Sequence, residues 1–305
     1  MCGVPQGGIL SPLLFLLFIN DIVNVSRIAK LILFADDTNL FFTGSNLKDL
    51  VVEVNSELKK IEKWFIVNKL FLNANKTSYM VFGTKGKSIN TVINLCGNNL
   101  ERVDVTKFLG VLIDSKLTWK NHIQYVKVKL SKCMAVLNRV KHIMNLYSMR
   151  ALYCALFLPY ISYCAEVWGT AYNSTINCLV ICQKKVIRII SQVGRQRHTS
   201  PLFAELKLLK LKDIIEMKIC LVMFDGIRGM LPQNLKWLIQ TYDTQKRNRR
   251  IFKIKYARTN LKKQCSMFVG AKLYNNLPCQ ITDSNSRSYF KQMFKRHCLQ
   301  RYSCS

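Results

Sequence analysis

Two hydrophobic periods alternate along the first third of the chain, and one of them takes over in the rest. Apolar residues recur at three- and four-residue steps from about 45 to 70, at Leu47, Val51, Val54, Leu58, Ile61 and Phe65, with charges opposite. That spacing predicts an amphipathic helix. Before it, Ser11 and Pro12 read as the N-cap and first residue of an apolar helix reaching about Ile22. Leu31-Ile32-Leu33-Phe34-Ala35 then reads as a short buried strand that turns at Asp36-Asp37 and resumes at Leu40-Phe41-Phe42-Thr43, a hairpin with two carboxylates at its tip. Further β-type runs are predicted at 78–82, 91–95 and 107–113. After Trp119 the pattern is helical nearly throughout. One helix carries Ile123, Val126, Leu130, Met134, Leu137 and Val140, a second runs from about Met149 to a stop at Pro159, and a third from about Thr175 to Ser191.

The fold class expected is therefore α/β (α+β): a mixed sheet with helices followed by a mainly helical region. Boundaries are placed near Asp114 and, more softly, near Thr199, giving segments 1–113, 114–198 and 199–305. Charge sharpens the first division. The net charge is +29, but residues 1–113 hold 12 basic and 9 acidic side chains, whereas residues 114–305 hold 34 and 8. So cationic a body repels itself unless a polyanion is near, and nucleic acid is the commonest such partner. Twelve cysteines without a CxxC pair, and four scattered histidines, predict neither a disulfide scaffold nor a zinc site, and fit a reducing, intracellular compartment (nucleus or cytoplasm) rather than secretion. The most apolar run, residues 13–19, is too short to span a bilayer, so no membrane partner is expected. Oligomeric state is not legible.

Two adjacent carboxylates at an exposed turn offer hard oxygen ligands to Mg²⁺, which shares its sphere readily with substrate phosphates. A bare Asp-Asp is more often a solvated turn, so the surroundings decide. Phe34-Ala35-Asp36-Asp37, preceded by Gly3-Val4-Pro5-Gln6-Gly7 and Leu10-Ser11-Pro12, resembles the palm of reverse transcriptases, in particular those of non-LTR (LINE-type, jockey- or CR1-like) retrotransposons. Leu72-Asn73-Ala74-Asn75-Lys76-Thr77 is similar to the family motif that brings a lysine to the triphosphate, and Phe108-Leu109-Gly110-Val111-Leu112-Ile113-Asp114 with Leu117-Thr118-Trp119 to its primer grip. Looser likeness continues at Leu158-Pro159-Tyr160, Val167-Trp168-Gly169 and Gln183-Lys184-Lys185, which resemble the helical thumb, and at Tyr274-Asn275-Asn276-Leu277-Pro278.

The resemblance implies a partial palm over 1–113, a thumb or connection over 114–198 and a basic extension over 199–305. It implies RNA-directed DNA polymerase chemistry: transfer of dNTPs to a primer 3′-hydroxyl on an RNA template, with Mg²⁺ (or Mn²⁺) held by Asp36 and Asp37. Lys76 would approach the β/γ-phosphates; Gly3, Pro5, Gln6, Gly7, Phe34 and Ala35 would line the nucleotide and template pocket; Phe108, Leu109 and Gly110 would form the primer grip. Gly8 stands where the family usually has Ser. The family's other metal-binding aspartate lies upstream of the Gly-Val-Pro-Gln loop, and only Met1 and Cys2 precede Gly3. The chain is thus expected to be N-terminally truncated and inactive alone. Two rivals remain open: a non-catalytic basic nucleic-acid-binding remnant, with Trp119, Tyr125, Trp168 and Tyr172 as possible stacking platforms, and a chain that is not stably folded. The run Lys246-Arg247-Asn248-Arg249-Arg250 reads as a localisation signal, a phosphate clamp or a solvated loop.

Overall fold

In a computed structural model, residues 7–83, 92–236, 239–244, 249–254 and 256–303 are described. Gly3, Pro5 and Gln6, and Lys246, Arg247 and Asn248, lie outside them. The architecture is mixed α/β and mostly helical, in two units, Met1–Thr106 and Lys107–Ser305.

The first unit opens with α1 (Ser11–Ile19), followed by a 3₁₀ turn at Asn20–Asn24. Leu10, not Ser11, occupies the N-cap, and Pro12 sits in the first turn, where its missing N–H costs nothing. The helix is apolar all round, and only Ile19 is buried; Leu13, Leu14, Leu16, Leu17 and Phe18 are each at least 45% exposed. Strands β1 (Lys30–Phe34) and β2 (Asp37–Phe41) form an antiparallel hairpin. Helix α2 (Leu47–Val67) is capped by the Asn46 side chain, which accepts from the Lys48 N–H, and buries Val54, Leu58, Ile61 and Phe65, the stripe that the periodicity predicts.

The mixed sheet expected for this region is resolved into short pairs. Strands β3 (Ser78–Tyr79) and β6 (Glu101–Arg102) are parallel, while β4 (Asn94–Leu95) and β5 (Asn98–Asn99) are antiparallel. Among the described residues each sheet has two strands. The run predicted over 107–113 is itself a hairpin, β7 (Val105–Phe108) and β8 (Val111–Asp114). Leu109 and Gly110 between them both have positive φ, +44° and +83°, the geometry that lets two residues reverse a twisted strand pair.

In the second unit the Asp114 carboxylate organises the entry to α3 (Lys120–Val140). It accepts from the backbone N–H of Lys116, Thr118 and Trp119 and from the Thr118 hydroxyl, at 2.8–3.2 Å. The helix then packs against α7 (Asn173–Ile190). Between them, α4 (Leu146–Leu152), a π-turn at Tyr153–Phe157 and α5 (Leu158–Ser162) run on without the stop expected at Pro159. The proline lies in the first turn of α5, and the wider π-turn ahead of it supplies the register that an interior proline would otherwise break.

Next come α6 (Ala165–Trp168), α8 (Ser200–Glu205), α9 (Leu211–Ile227), α10 (Gln233–Lys236), the hairpin β9 (Thr241–Thr244) and β10 (Arg249–Phe252), α11 (Asn260–Lys263), α12 (Ser266–Asn275), α13 (Cys279–Thr282) and α14 (Arg287–Ser303). One hydrophobic core runs from Ile123 to Tyr302. It passes through the position of the softer boundary at 199, because α7, α8, α9 and α14 turn their apolar faces to one another. Gly169 permits the α6–α9 approach: a Cβ there would lie 2.5 Å from the Ile215 side chain.

Candidate active site: the Asp36–Asp37 hairpin

The register of the first hairpin fixes where its carboxylates stand. Phe34 is directly opposite Asp37, Ile32 opposite Asn39 and Lys30 opposite Phe41, so these six side chains share one face. Leu31, Leu33 and Leu40 point the other way, into a cluster with Ile19, Ile22, Ile61 and Phe65. The turn consists of Ala35 and Asp36 alone. Ala35 adopts φ +52°, a left-handed conformation that costs a non-glycine residue about 1 kcal/mol.

Asp36 and Asp37 are both exposed. Neither carboxylate accepts a hydrogen bond or forms an ion pair with a described residue. Their oxygens are therefore available to a cation and to water, which fits a divalent ion that takes one or two protein carboxylates and leaves the rest of its sphere to others. Among the described residues no third His, Cys, Asp or Glu completes a cluster with them. Asp21 lies in the 3₁₀ turn, and the Asp114 oxygens are already engaged by backbone donors.

Lys76 ends a 3₁₀ turn, Ala74–Lys76, capped by Asn73: the Lys76 N–H donates to the Asn73 side chain, and the Thr77 hydroxyl to the Asn73 carbonyl at 2.9 Å. This is the local reason for the Asn-Ala-Asn-Lys-Thr sequence. Leu72, just ahead of the turn, and Leu40, just past the carboxylates, pack against the same two hydrophobic clusters of the first unit. Lys76 itself is exposed. Gly7, at φ +89°, is exposed as well.

The Phe108–Gly110 turn belongs to the second unit. Sequence reasoning missed its main contact, Tyr163, whose hydroxyl donates to the Leu109 carbonyl at 2.6 Å and whose ring lies 3.4 Å from where a Gly110 Cβ would be. A tyrosine 53 positions downstream carries no local signal of such a partner. Of the four aromatics weighed as stacking platforms, Trp168 is fully buried, Trp119 and Tyr125 pack partly against the core, and Tyr172 is 49% exposed. Gln183, beside two exposed-type lysines, is buried instead. It bridges the Tyr153 hydroxyl, the Leu209 carbonyl and the Leu211 N–H.

Comparison with known proteins bears on the first segment as a whole. Residues 1–113 match the family described as reverse transcriptase (RNA-dependent DNA polymerase). The RNA-directed DNA polymerase from the mobile element jockey of Drosophila melanogaster is 26% identical over 225 residues, covering 70% of this chain and 24% of its own length. The probable RNA-directed DNA polymerase from transposon BS of the same species is 28% identical, with 70% and 25% covered. A retrovirus-related Pol polyprotein from type-1 retrotransposable element R1 2 of Nasonia vitripennis is 24% identical, with 71% and 57% covered. The chain thus spans about a quarter of the length of the first two relatives. No solved structure is significantly similar to it. No helix among the described residues is long and apolar enough to cross a membrane. With the Phe-Ala-Asp-Asp hairpin, the family match over its first 113 residues and relatives of the jockey, BS and R1 kind, this chain is similar to the reverse transcriptases of non-LTR retrotransposons.

Proposed function

We propose that this chain contributes part of an RNA-directed DNA polymerase centre, acting on an RNA template, a DNA primer and dNTPs. The observation that carries the proposal is the pair of exposed carboxylates, unengaged by any described residue, at the tip of a two-residue hairpin inside the segment matched to the family. Asp36 and Asp37 would hold Mg²⁺ or Mn²⁺. Such an ion supplies Lewis-acid activation of the primer hydroxyl and neutralises charge on the phosphoryl oxygens. Lys76 brings a cation toward the β/γ-phosphates and so favours pyrophosphate as a leaving group. Gly3, Pro5, Gln6 and Gly7, with Phe34 and Ala35, line the nucleotide and template pocket. Phe108, Leu109 and Gly110 grip the primer strand.

Nucleotidyl transfer by two metals draws carboxylates from two separate strands, because one tip cannot flank the substrate on both sides. The described residues offer one such tip, so on their own they bind metal and do not extend a primer. Two measurements test this. Mn²⁺ binding followed by electron paramagnetic resonance is expected to be weak and to disappear in Asp36→Asn/Asp37→Asn; equal binding by the variant overturns the metal assignment. Template-dependent incorporation by the purified chain overturns the claim of inactivity.

A second reading, a nucleic-acid binder without catalysis, is favoured by the charge of residues 114–305, 34 basic against 8 acidic. Its affinity should fall with salt by roughly 0.7–0.9 log units per phosphate contact per log unit of salt. A salt-independent affinity counts against it.

A further inference from the structure

An open depression of about 410 Å³ in the second unit, between the segment following β10 and helices α11 and α12, is lined among others by Tyr256, Arg258, Lys263, Phe268 and Lys272. Three cations converge on one concave site, and the local sequence offers them no relief. Between Asp243 and Asp283 the chain has ten lysines and arginines and no acidic residue. Such a site is stabilised by an anion from outside.

Two aromatic rings stand among these cations. Tyr256 is 87% exposed. Phe268 is half-buried, with the Lys272 ammonium 4.6 Å from its ring centre, a cation–π contact that holds this lysine at the site. A free aromatic face set beside two or three cations matches the alternation of base and phosphate along an unpaired strand. A duplex hides its base faces and would leave the tyrosine unused. A membrane surface calls for apolar groups projecting from an amphipathic helix rather than a ring flanked by charges.

We propose that this depression binds single-stranded nucleic acid, with a base stacked on Tyr256 and the adjoining phosphates met by Arg258, Lys263 and Lys272. The site lies outside residues 1–113 and rests on the function proposed above only in that the chain handles nucleic acid. The carboxylate hairpin takes no part in it.

Fluorescence polarisation of the full chain with a labelled oligouridylate and with a duplex of equal length tests the assignment. Tyr256→Ala should weaken the single strand on the order of tenfold and leave the duplex unchanged. Tyr256→Phe, which keeps the ring face, should bind as the parent does. Lys263→Glu/Lys272→Glu should weaken the single strand and flatten its salt dependence. Since Tyr256 is almost wholly exposed, the thermal midpoint should not move in either tyrosine variant. Mn²⁺ binding is read at Asp36 and Asp37 and oligonucleotide binding at Tyr256, so that failure of the polymerase assignment and failure of this one are separable. Unchanged binding by Tyr256→Ala, equal losses on single strand and duplex, or phosphatidylserine vesicles that displace the oligonucleotide through Tyr256 would each overturn the proposal.

Discussion

The Tyr163 hydroxyl donates to the Leu109 carbonyl at 2.6 Å, and the Trp168 indole N–H donates in turn to the Tyr163 carbonyl at 2.8 Å. A two-residue turn is thereby tied to a fully buried tryptophan through a single exposed tyrosine. Tyr163→Phe should lower stability by about 1 kcal/mol. Gly110→Ala should lower it by about 1–2 kcal/mol, because φ +83° forces a Cβ into left-handed strain while the Tyr163 ring stands at van der Waals distance. Chemical denaturation checks both. Hydrogen exchange of residues 108–112 should accelerate in each variant, and unchanged exchange would show that the tether does not hold the turn.

Gln183 is the second test. Its amide satisfies the Leu209 carbonyl, the Leu211 N–H at the start of α9 and the Tyr153 hydroxyl in the π-turn, all in a buried setting. Gln183→Leu preserves volume but strands these groups, so a loss of about 2–4 kcal/mol is expected in urea unfolding. A double-mutant cycle with Tyr153→Phe should show coupling, since removing both partners leaves fewer orphans than removing one.

His122 makes the stability of the second unit depend on pH. Its Nδ1 accepts from the Leu112 N–H at 3.3 Å, its Nε2 is buried without a partner, and its ring lies against Trp168. Burial pushes the imidazole below its ordinary value of 6.5. The unfolded chain therefore takes up the proton first as pH falls. The contribution is complete above about pH 6.5 and is lost progressively below it. Subtracting the profile of His122→Gln from that of the parent isolates this contribution; two parallel profiles between pH 7 and pH 5 would refute it.

At the other end of the same core, Asp213 on α9 pairs with Arg301 at 2.8 Å and accepts from the Tyr302 hydroxyl, both on α14. The carboxylate is buried, but Arg301 is about half exposed, so the pair is partly screened. Asp213→Ala should cost about 2 kcal/mol, chiefly by removing the carboxylate that accepts from the Tyr302 hydroxyl. Limited proteolysis should then remove the C-terminal helix first. Cleavage elsewhere before residue 287 would contradict the clamp.

The long helices were legible because their stripes are long. Val54, Leu58, Ile61 and Phe65 on α2, and Ile123, Val126, Leu130 and Leu137 on α3, are buried as their spacing predicts. The hairpin at Asp36–Asp37 was legible from its β-type runs and turn. What escaped is non-local or small. The π-turn that carries the helix past Pro159 has no sequence signature, and the short pairs β3–β6 and β4–β5 are too brief to show a period of two. Tyr163 and Gln183 act through partners 26 to 54 residues away. The exposed ring of Tyr256 sits in a stretch where charge, not periodicity, dominates.

The position of α14 has a consequence for synthesis. Phe290, Phe294, Cys298 and Tyr302 fill the same core as Ile123 and Leu130 near the start of the second unit. A ribosome translating this message therefore leaves the greasy sides of α3, α7 and α9 that α14 covers without a lid until α14 has left the exit tunnel. Over that interval the nascent polypeptide is a client for chaperones, and a stop codon that deleted only α14 would lengthen the interval indefinitely.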